Sequence, residues 1–311
     1  MARSQRKHIA FGWYGGKYSH LDWLLPLLPE AHHYCEPFGG SAAVLLNRTP
    51  APVETYNDTD SEVVNFFRVL REQKDDLIYA IGMTPFSREE YALAIQTNGS
   101  SRAAEPASDH PSESANEDFH RLPLFAERRA QFHVNVSADT VQPLTELERA
   151  RRFFTRARQT RTGLAQTASV GRWANCLGTS RAGMAGAVSR WLGSVEELEW
   201  IASRLLRVQI EHDSALNVIR RYDSPDTLFY CDPPYPHETR GDAKAYQYEM
   251  TNAQHVALAQ SLTAVQGRVA ISGYHGELMD ELYRGWHVHE EGVKKAHSVK
   301  TDRAEVLWTN Y

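Results

Sequence analysis

The chain has 311 residues, with 34 Lys and Arg against 39 Asp and Glu, for a formal net charge of -5. Hydrophobic residues make up 42% and charged residues 23%, enough apolar material for one large core or two smaller ones. The most apolar stretch, Leu21–Leu28, is far shorter than the ~20 residues of a membrane span. Met1–His8 leads into no signal-peptide core.

Three cysteines (Cys35, Cys176, Cys231) form no CxxC, and the histidines form no HExxH, so neither a disulfide framework nor a metal site is expected. The expected setting is the reducing cytoplasm.

In chain order, His33–Phe38 predicts a short strand ending in Gly39-Gly40, with a helix opening at Ser41 through Ala42, Val44, Leu45 and Leu46. Val53–Tyr56 predicts a second strand, ending at Asn57-Asp58. Thr59 and Glu62 have capping-box spacing, and the helix they start places Val63, Phe66, Phe67 and Leu70 on one face.

Residues 75–195 break this rhythm and read as an inserted, mainly helical and loop segment. Within it, residues 99–118 are rich in Ser, Ala, Glu and Pro without apolar periodicity, and read as a disordered loop. From Arg149 to Arg190 there are nine Arg and no Asp, Glu or Lys, a window of +9 that leaves -14 elsewhere. That asymmetry suggests a surface facing a polyanion; a solvated basic face is the alternative. Arg152, Arg156, Arg158, Arg161 and Arg172, interleaved with Phe153, Phe154 and Trp173, are the candidate phosphate contacts.

Beyond the insert the rhythm returns. Leu198, Ile201 and Leu205 form a helix stripe, followed by a strand at Val208–Glu211 that ends near Asp213. Thr227–Cys231 is a continuous apolar run, as for a strand buried on both faces. Thr251 and Gln254 cap a further helix carrying Leu258, Leu262 and Val265, stopped by Gly267. Val269–Ile271, His287–His289 and Glu305–Trp308 follow as strands. Strands alternating with helices indicate an α/β protein with a doubly wound, mostly parallel sheet.

In such sheets ligands bind outside the carboxyl ends of the strands. Four strand ends stand out. Gly39-Gly40 either lets backbone approach a ligand or serves turn chemistry. Asp58 either accepts ribose hydroxyls or caps the next helix, and Asp213 either caps a helix or contacts a ligand. Most specific is Asp232-Pro233-Pro234-Tyr235: two prolines hold an acid and an aromatic rigidly at a strand end. A carboxylate and a carbonyl that accept from an exocyclic amine, beside a ring that stacks, suit a nucleobase.

With Phe11-Gly-Trp-Tyr-Gly-Gly-Lys17-Tyr, Glu36-Pro-Phe-Gly-Gly-Ser41, Asn57-Asp58 and Asp232-Pro-Pro-Tyr235, the chain resembles the Dam-type (D12 class, α-group motif order) DNA N6-adenine methyltransferases. Tyr248–Thr251, Ile271–Tyr274 and Glu305–Asn310 are similar to further family segments. Two departures are Gly40-Ser-Ala42, where many relatives carry a further Gly, and Tyr14, where a small residue is usual.

The resemblance implies a methyltransferase (Rossmann-like) catalytic domain of residues 1–74 and 196–311 that binds S-adenosyl-L-methionine, with 75–195 as an inserted target-recognition segment. It implies site-specific methyl transfer to N6 of an adenine flipped out of double-stranded DNA, with no metal. Asp232, Pro233, Pro234 and Tyr235 are then catalytic; Trp13, Lys17, Glu36, Phe38, Gly39, Asp58, Asp213 and Asp232 bind the cofactor. It further implies a monomer in a prokaryotic nucleoid or phage-infected cell, with a restriction endonuclease as a candidate partner. The alternatives are an N4-cytosine or other amino-methyltransferase of the same fold, or a catalytically silent DNA-binding relative; Asp at 232 favours adenine.

Overall fold

A computed structural model describes residues 6–96, 143–165, 171–178, 180–181, 183–239, 248–292 and 304–311. The chain divides into two compact units, Met1–Ile95 with Thr145–Tyr311, and Gln96–Leu144. The second lies almost wholly outside the described residues, as does the expected loop at 99–118.

Among the described residues, seven strands build one sheet in the order β5-β2-β1-β6-β7-β9-β8. They are β1 (His33–Glu36), β2 (Val53–Asn57), β5 (Val208–Glu211), β6 (Thr227–Cys231), β7 (Arg268–Gly273), β8 (His287–Glu290) and β9 (Val306–Thr309). β5, β2, β1, β6 and β7 run parallel, and β9 lies antiparallel between β7 and β8. This is the expected doubly wound, mostly parallel sheet. A separate two-stranded ribbon pairs β3 (Ser180–Arg181) with β4 (Met184–Ala185).

The apolar strand runs are explained by burial on both faces. Tyr34, Leu228, Tyr230, Ala270 and Leu307 enter one core. Their neighbours Cys35, Phe229, Cys231, Val269, Ile271 and Trp308 enter the other, as the two-residue strand period requires.

Helices cover both faces. α1 (Leu21–Leu24) and α2 (Ala43–Asn47) are short; α3 spans Ser61–Glu72, α4 Lys74–Gly82, α5 Arg88–Ile95 and α6 Glu146–Gln159. α7 spans Gly186–Leu205, α8 Ala215–Tyr222, α9 Asn252–Ala264 and α10 Glu277–Leu282. On α3, Val63, Phe66, Phe67 and Leu70 are buried as expected. Its cap differs: Asp60, not Thr59, accepts from the Glu62 N–H at 2.9 Å, because the helix begins one residue later. On α9 the Thr251–Gln254 capping box forms, while Val265 falls just past the helix end.

Residues 75–95 and the described part of 145–195 belong to the same compact unit as the sheet. The reason is apolar: Phe153 and Phe154 of α6 pack on Phe66 of α3, and Phe154 also meets Trp191 of α7. A buried bidentate pair closes the other end of α7, where Arg204 reaches both Glu54 oxygens at 2.6 and 2.7 Å and the Leu45 carbonyl at 2.9 Å.

Candidate active site

Strand order reverses between β1 and β6, and a crevice opens there at their carboxyl ends. It is an open cavity lined by residues of five segments, among them Trp13, Lys17, Glu36, Asp58, Asp232 and Tyr248.

Glu36, at the end of β1, is 2% exposed and accepts from the Tyr34 hydroxyl at 2.7 Å. Burial pushes its carboxyl up to about 8. Asp58, just past β2, accepts from the Gly40 and Asp60 N–H groups, each at 2.8 Å, and burial pushes it up to about 6. It lines the cavity, and the cap of α3 is Asp60 instead.

The glycine turn is set by packing as well as by any ligand. A Cβ on Gly39 would lie 2.2 Å from the Tyr56 ring, and one on Gly40, at φ +49°, 2.6 Å from Trp13 Nε1. Ala42 takes the left-handed conformation (φ 55°) that glycine adopts without strain, which gives physical content to the missing third glycine.

At the end of β6, Asp232 faces the cavity with Pro234. Lys17, 2% exposed, places its ammonium 2.6 and 2.7 Å from the two Asp232 oxygens, 2.8 Å from the Gly15 carbonyl and 3.3 Å from Glu305. Burial pushes the Asp232 carboxyl up; Lys17 opposes that and Glu305 adds to it. Tyr235 is 3% exposed, donates to Glu305, and meets the Tyr274 ring edge-on at 4.8 Å. Pro233 is buried, and neither Pro233 nor Tyr235 lines the cavity. Trp13, Phe38 and Gly39 do.

Asp213 does not join this group. Ser214 caps α8, and the Asp213 carboxylate accepts from Ser214 N, Asn217 Nδ2 and Arg221 at 2.7–2.9 Å, outside the cavity lining. Those hydrogen bonds, Asn217 first, hold its pKa below the usual carboxylate range.

The arginine window splits in two. Arg149 pairs with Glu62, Arg151 with Glu90 and Glu148, and Arg152 with Glu148 and the Leu93 carbonyl. Arg156 lies over the Phe153 ring. Arg158, half-buried, is pushed down to about 10 by burial, with Arg190 adding to the effect. Arg161 and Arg172 are exposed and brought together where the Arg161 N–H donates to the Arg172 carbonyl at 2.7 Å. The same segment pairs with Gly12, next to Trp13, through a Gly12–Leu164 bridge.

Two site residues were marked in the sequence only by lying in family-like segments, Tyr248–Thr251 and Glu305–Asn310, with no role assigned. Tyr248 lines the cavity from a segment without periodicity. Glu305 read as part of a strand and as the start of the family-like segment Glu305–Asn310, with no role attached to it. Among the described residues, no group of three or more His, Cys, Asp or Glu is placed to hold a metal, and no helix is long and apolar enough to cross a membrane.

The sheet order and the crevice of acids define an α/β protein with a methyltransferase (Rossmann-like) fold. The chain belongs to the D12 class N6 adenine-specific DNA methyltransferase family, whose model matches residues 13–297. No curated protein matches the sequence. Family membership implies DNA as the substrate and S-adenosyl-L-methionine as the methyl donor.

Proposed function

We propose that this protein methylates N6 of an adenine flipped out of double-stranded DNA, at a specific sequence. The observation that carries the reading is the Asp232 carboxylate, held by Lys17 in a cavity that two further acids, Glu36 and Asp58, also line.

The cavity's donor set fits the cofactor. Glu36 and Asp58 are desolvated acids whose charge a cationic ligand with hydroxyl donors would favour. Glu36 would take the ammonium end, Asp58 the ribose hydroxyls, and Trp13, Phe38 and Gly39 the walls. Asp213 would serve the adenine amine only by releasing Arg221. When bound, the cofactor supplies an electrophilic methyl group carried on a sulfonium.

A base inside a duplex cannot reach this cavity, so the target must leave the stack, at a cost of a few kcal/mol. Asp232 and the Pro233 carbonyl would accept the two amino hydrogens, drawing the nitrogen lone pair out of ring conjugation. Pro234 fixes the turn that aims them. The proton lost from N6 would leave through Asp232, whose proton affinity burial raises. Tyr235 would stack on the flipped ring, which requires displacing the cover that Tyr274 now provides. Positioning then carries most of the rate.

Residues 75–195 would supply target recognition, with Arg156, Arg158, Arg161 and Arg172 on phosphates. Arg152 would first have to exchange Glu148 for phosphate. The protein would act as a monomer in a prokaryotic or phage-infected cytoplasm, with or without a companion restriction endonuclease.

The test is methyl transfer to adenine-containing duplex DNA by Asp232→Ala, followed by nucleoside analysis of the wild-type product. Loss of transfer with retained fold, and N6-methyladenine as the product, are expected. Wild-type-like turnover by the variant, or N4-methylcytosine as the product, refutes the proposal.

A further inference from the structure

Glu305 immediately precedes β9, is 4% exposed, and lies beyond the residues matched by the family model. It touches two groups of the site. The Lys17 ammonium lies 3.3 Å from its Oε1, and the Tyr235 hydroxyl donates to the same oxygen.

An ammonium has three hydrogens. Around Lys17 stand the Asp232 carboxylate, the Gly15 carbonyl and Glu305, so one ammonium lies within reach of two buried or half-buried carboxylates. In the arrangement seen, the two Asp232 oxygens and the Gly15 carbonyl lie at 2.6–2.8 Å from the ammonium, and Glu305 is the more distant acceptor. An incoming amino group needs a well-placed lone pair on Asp232, and the ammonium takes up the side of the carboxylate where both oxygens point. Removing Lys17 altogether would leave carboxylates buried without compensation, which is costly. A small shift of the ammonium from one Asp232 oxygen toward Glu305 avoids that cost: the cation stays between the two acids, and an oxygen is freed.

We propose that Glu305 is a positioning residue for methyl transfer, a second carboxylate seat for Lys17 that releases one oxygen of Asp232 to the target amino group. It rests on the reading of Asp232 as the group that receives the amine. Its contact with Tyr235 places the ring and the carboxylate under one control, so the two change position together.

The experiment is single-turnover methyl transfer against pH for the full chain with duplex DNA, comparing wild type, Glu305→Gln, Tyr235→Phe and Asp232→Ala, with cofactor affinity and melting temperature measured alongside. The amide introduced by Glu305→Gln still accepts from Tyr235 but is a poor seat for an ammonium. Glu305→Gln is expected to lower the plateau rate at least tenfold with cofactor affinity within about twofold of wild type. Because the Glu305 charge pushes Asp232 up and the Tyr235 hydroxyl pulls it down, the acid limb should move to lower pH in Glu305→Gln and to higher pH in Tyr235→Phe. A residue that merely held the fold would lower the rate without moving the limb.

Wild-type rate and limb in Glu305→Gln, with Asp232→Ala inactive, overturns this inference and leaves the reading of Asp232 intact; an active Asp232→Ala overturns both. If Glu305→Gln does not fold, Lys17→Arg takes its place. A guanidinium fork grips a carboxylate with two parallel hydrogen bonds and would not hand one oxygen over. A tenfold or greater rate loss supports the proposal, and wild-type transfer overturns it.

Discussion

Raising the pH from 6 to 8 is expected to tighten S-adenosyl-L-methionine binding by up to about a hundredfold, tenfold per pH unit for one linked proton. The source is Glu36. Burial pushes its carboxyl from the ordinary 4.5 up to about 8, so the ligand-free protein holds it neutral near pH 7. Ligand-free stability should accordingly fall as pH rises from 4.5 toward 8, since the folded chain keeps a proton that the unfolded chain has lost.

A cofactor ammonium needs the ionised carboxylate, so binding expels that proton. Affinity then climbs until Glu36 is ionised in the free protein. The ligand's own α-amino group, with an ordinary pKa of about 8, loses its charge from about pH 7 upward, so the climb flattens toward pH 8 and then turns down. Asp58, pushed up to about 6, steepens the climb only at the acid end. Titration calorimetry at pH 6, 7 and 8, in buffers of different ionisation enthalpy, measures both affinity and protons released. Glu36→Gln should match wild type near pH 6 and fall behind by roughly ten- to a hundredfold at pH 8. A flat wild-type affinity between pH 6 and 8, with no proton release, would refute the account.

Other consequences are accessible to simpler measurements. Gly40→Ala puts a methyl 2.6 Å from Trp13 Nε1 at φ +49°; it should cost at least about 1–2 kcal/mol in denaturant unfolding from backbone strain alone, and weaken cofactor binding by displacing Trp13. Arg204→Met leaves the Glu54 carboxylate buried without its bidentate partner, and should cost about 3–5 kcal/mol by the same assay. Neutralising Arg158, Arg161 and Arg172 should reduce the salt slope of DNA binding by about one unit per lost phosphate contact. Neutralising Arg149 and Arg151 should leave that slope unchanged, because Glu62, Glu90 and Glu148 already hold them; an equal slope change in both sets would reject the division.

Much of the architecture was legible locally. Alternate side chains of β6 enter opposite cores, so an unbroken apolar run was the necessary signature of a central strand. The stripes of α3 and α9 and the Thr251–Gln254 box are likewise relations between near neighbours. Asp58 and Asp232 were recognisable because each stands at the end of such a strand, where sheets of this kind bind ligands; Glu36 was reached through the family resemblance of Glu36–Ser41. The misplaced cap at Thr59 shows the limit: one residue of helix phase is decided by backbone geometry that spacing does not specify.

What chain pattern could not reveal is partnership across distance. Lys17 meets Asp232 from 215 positions away, and the two acids share their cation only because β9 lies antiparallel beside β7. Counting charge along the chain makes Arg149–Arg190 uniformly basic; folding sets part of it against glutamates of the same unit and leaves Arg161 and Arg172 exposed. Asp213, equivalent to Asp58 by its place after a strand, turns instead to Ser214, Asn217 and Arg221. The sequence by itself determined which residues end the strands and what chemistry they carry. The tertiary structure alone decided which of those charges are neutralised and which face the cavity, because a charge's energy depends on its neighbours in space and on how much water remains around it.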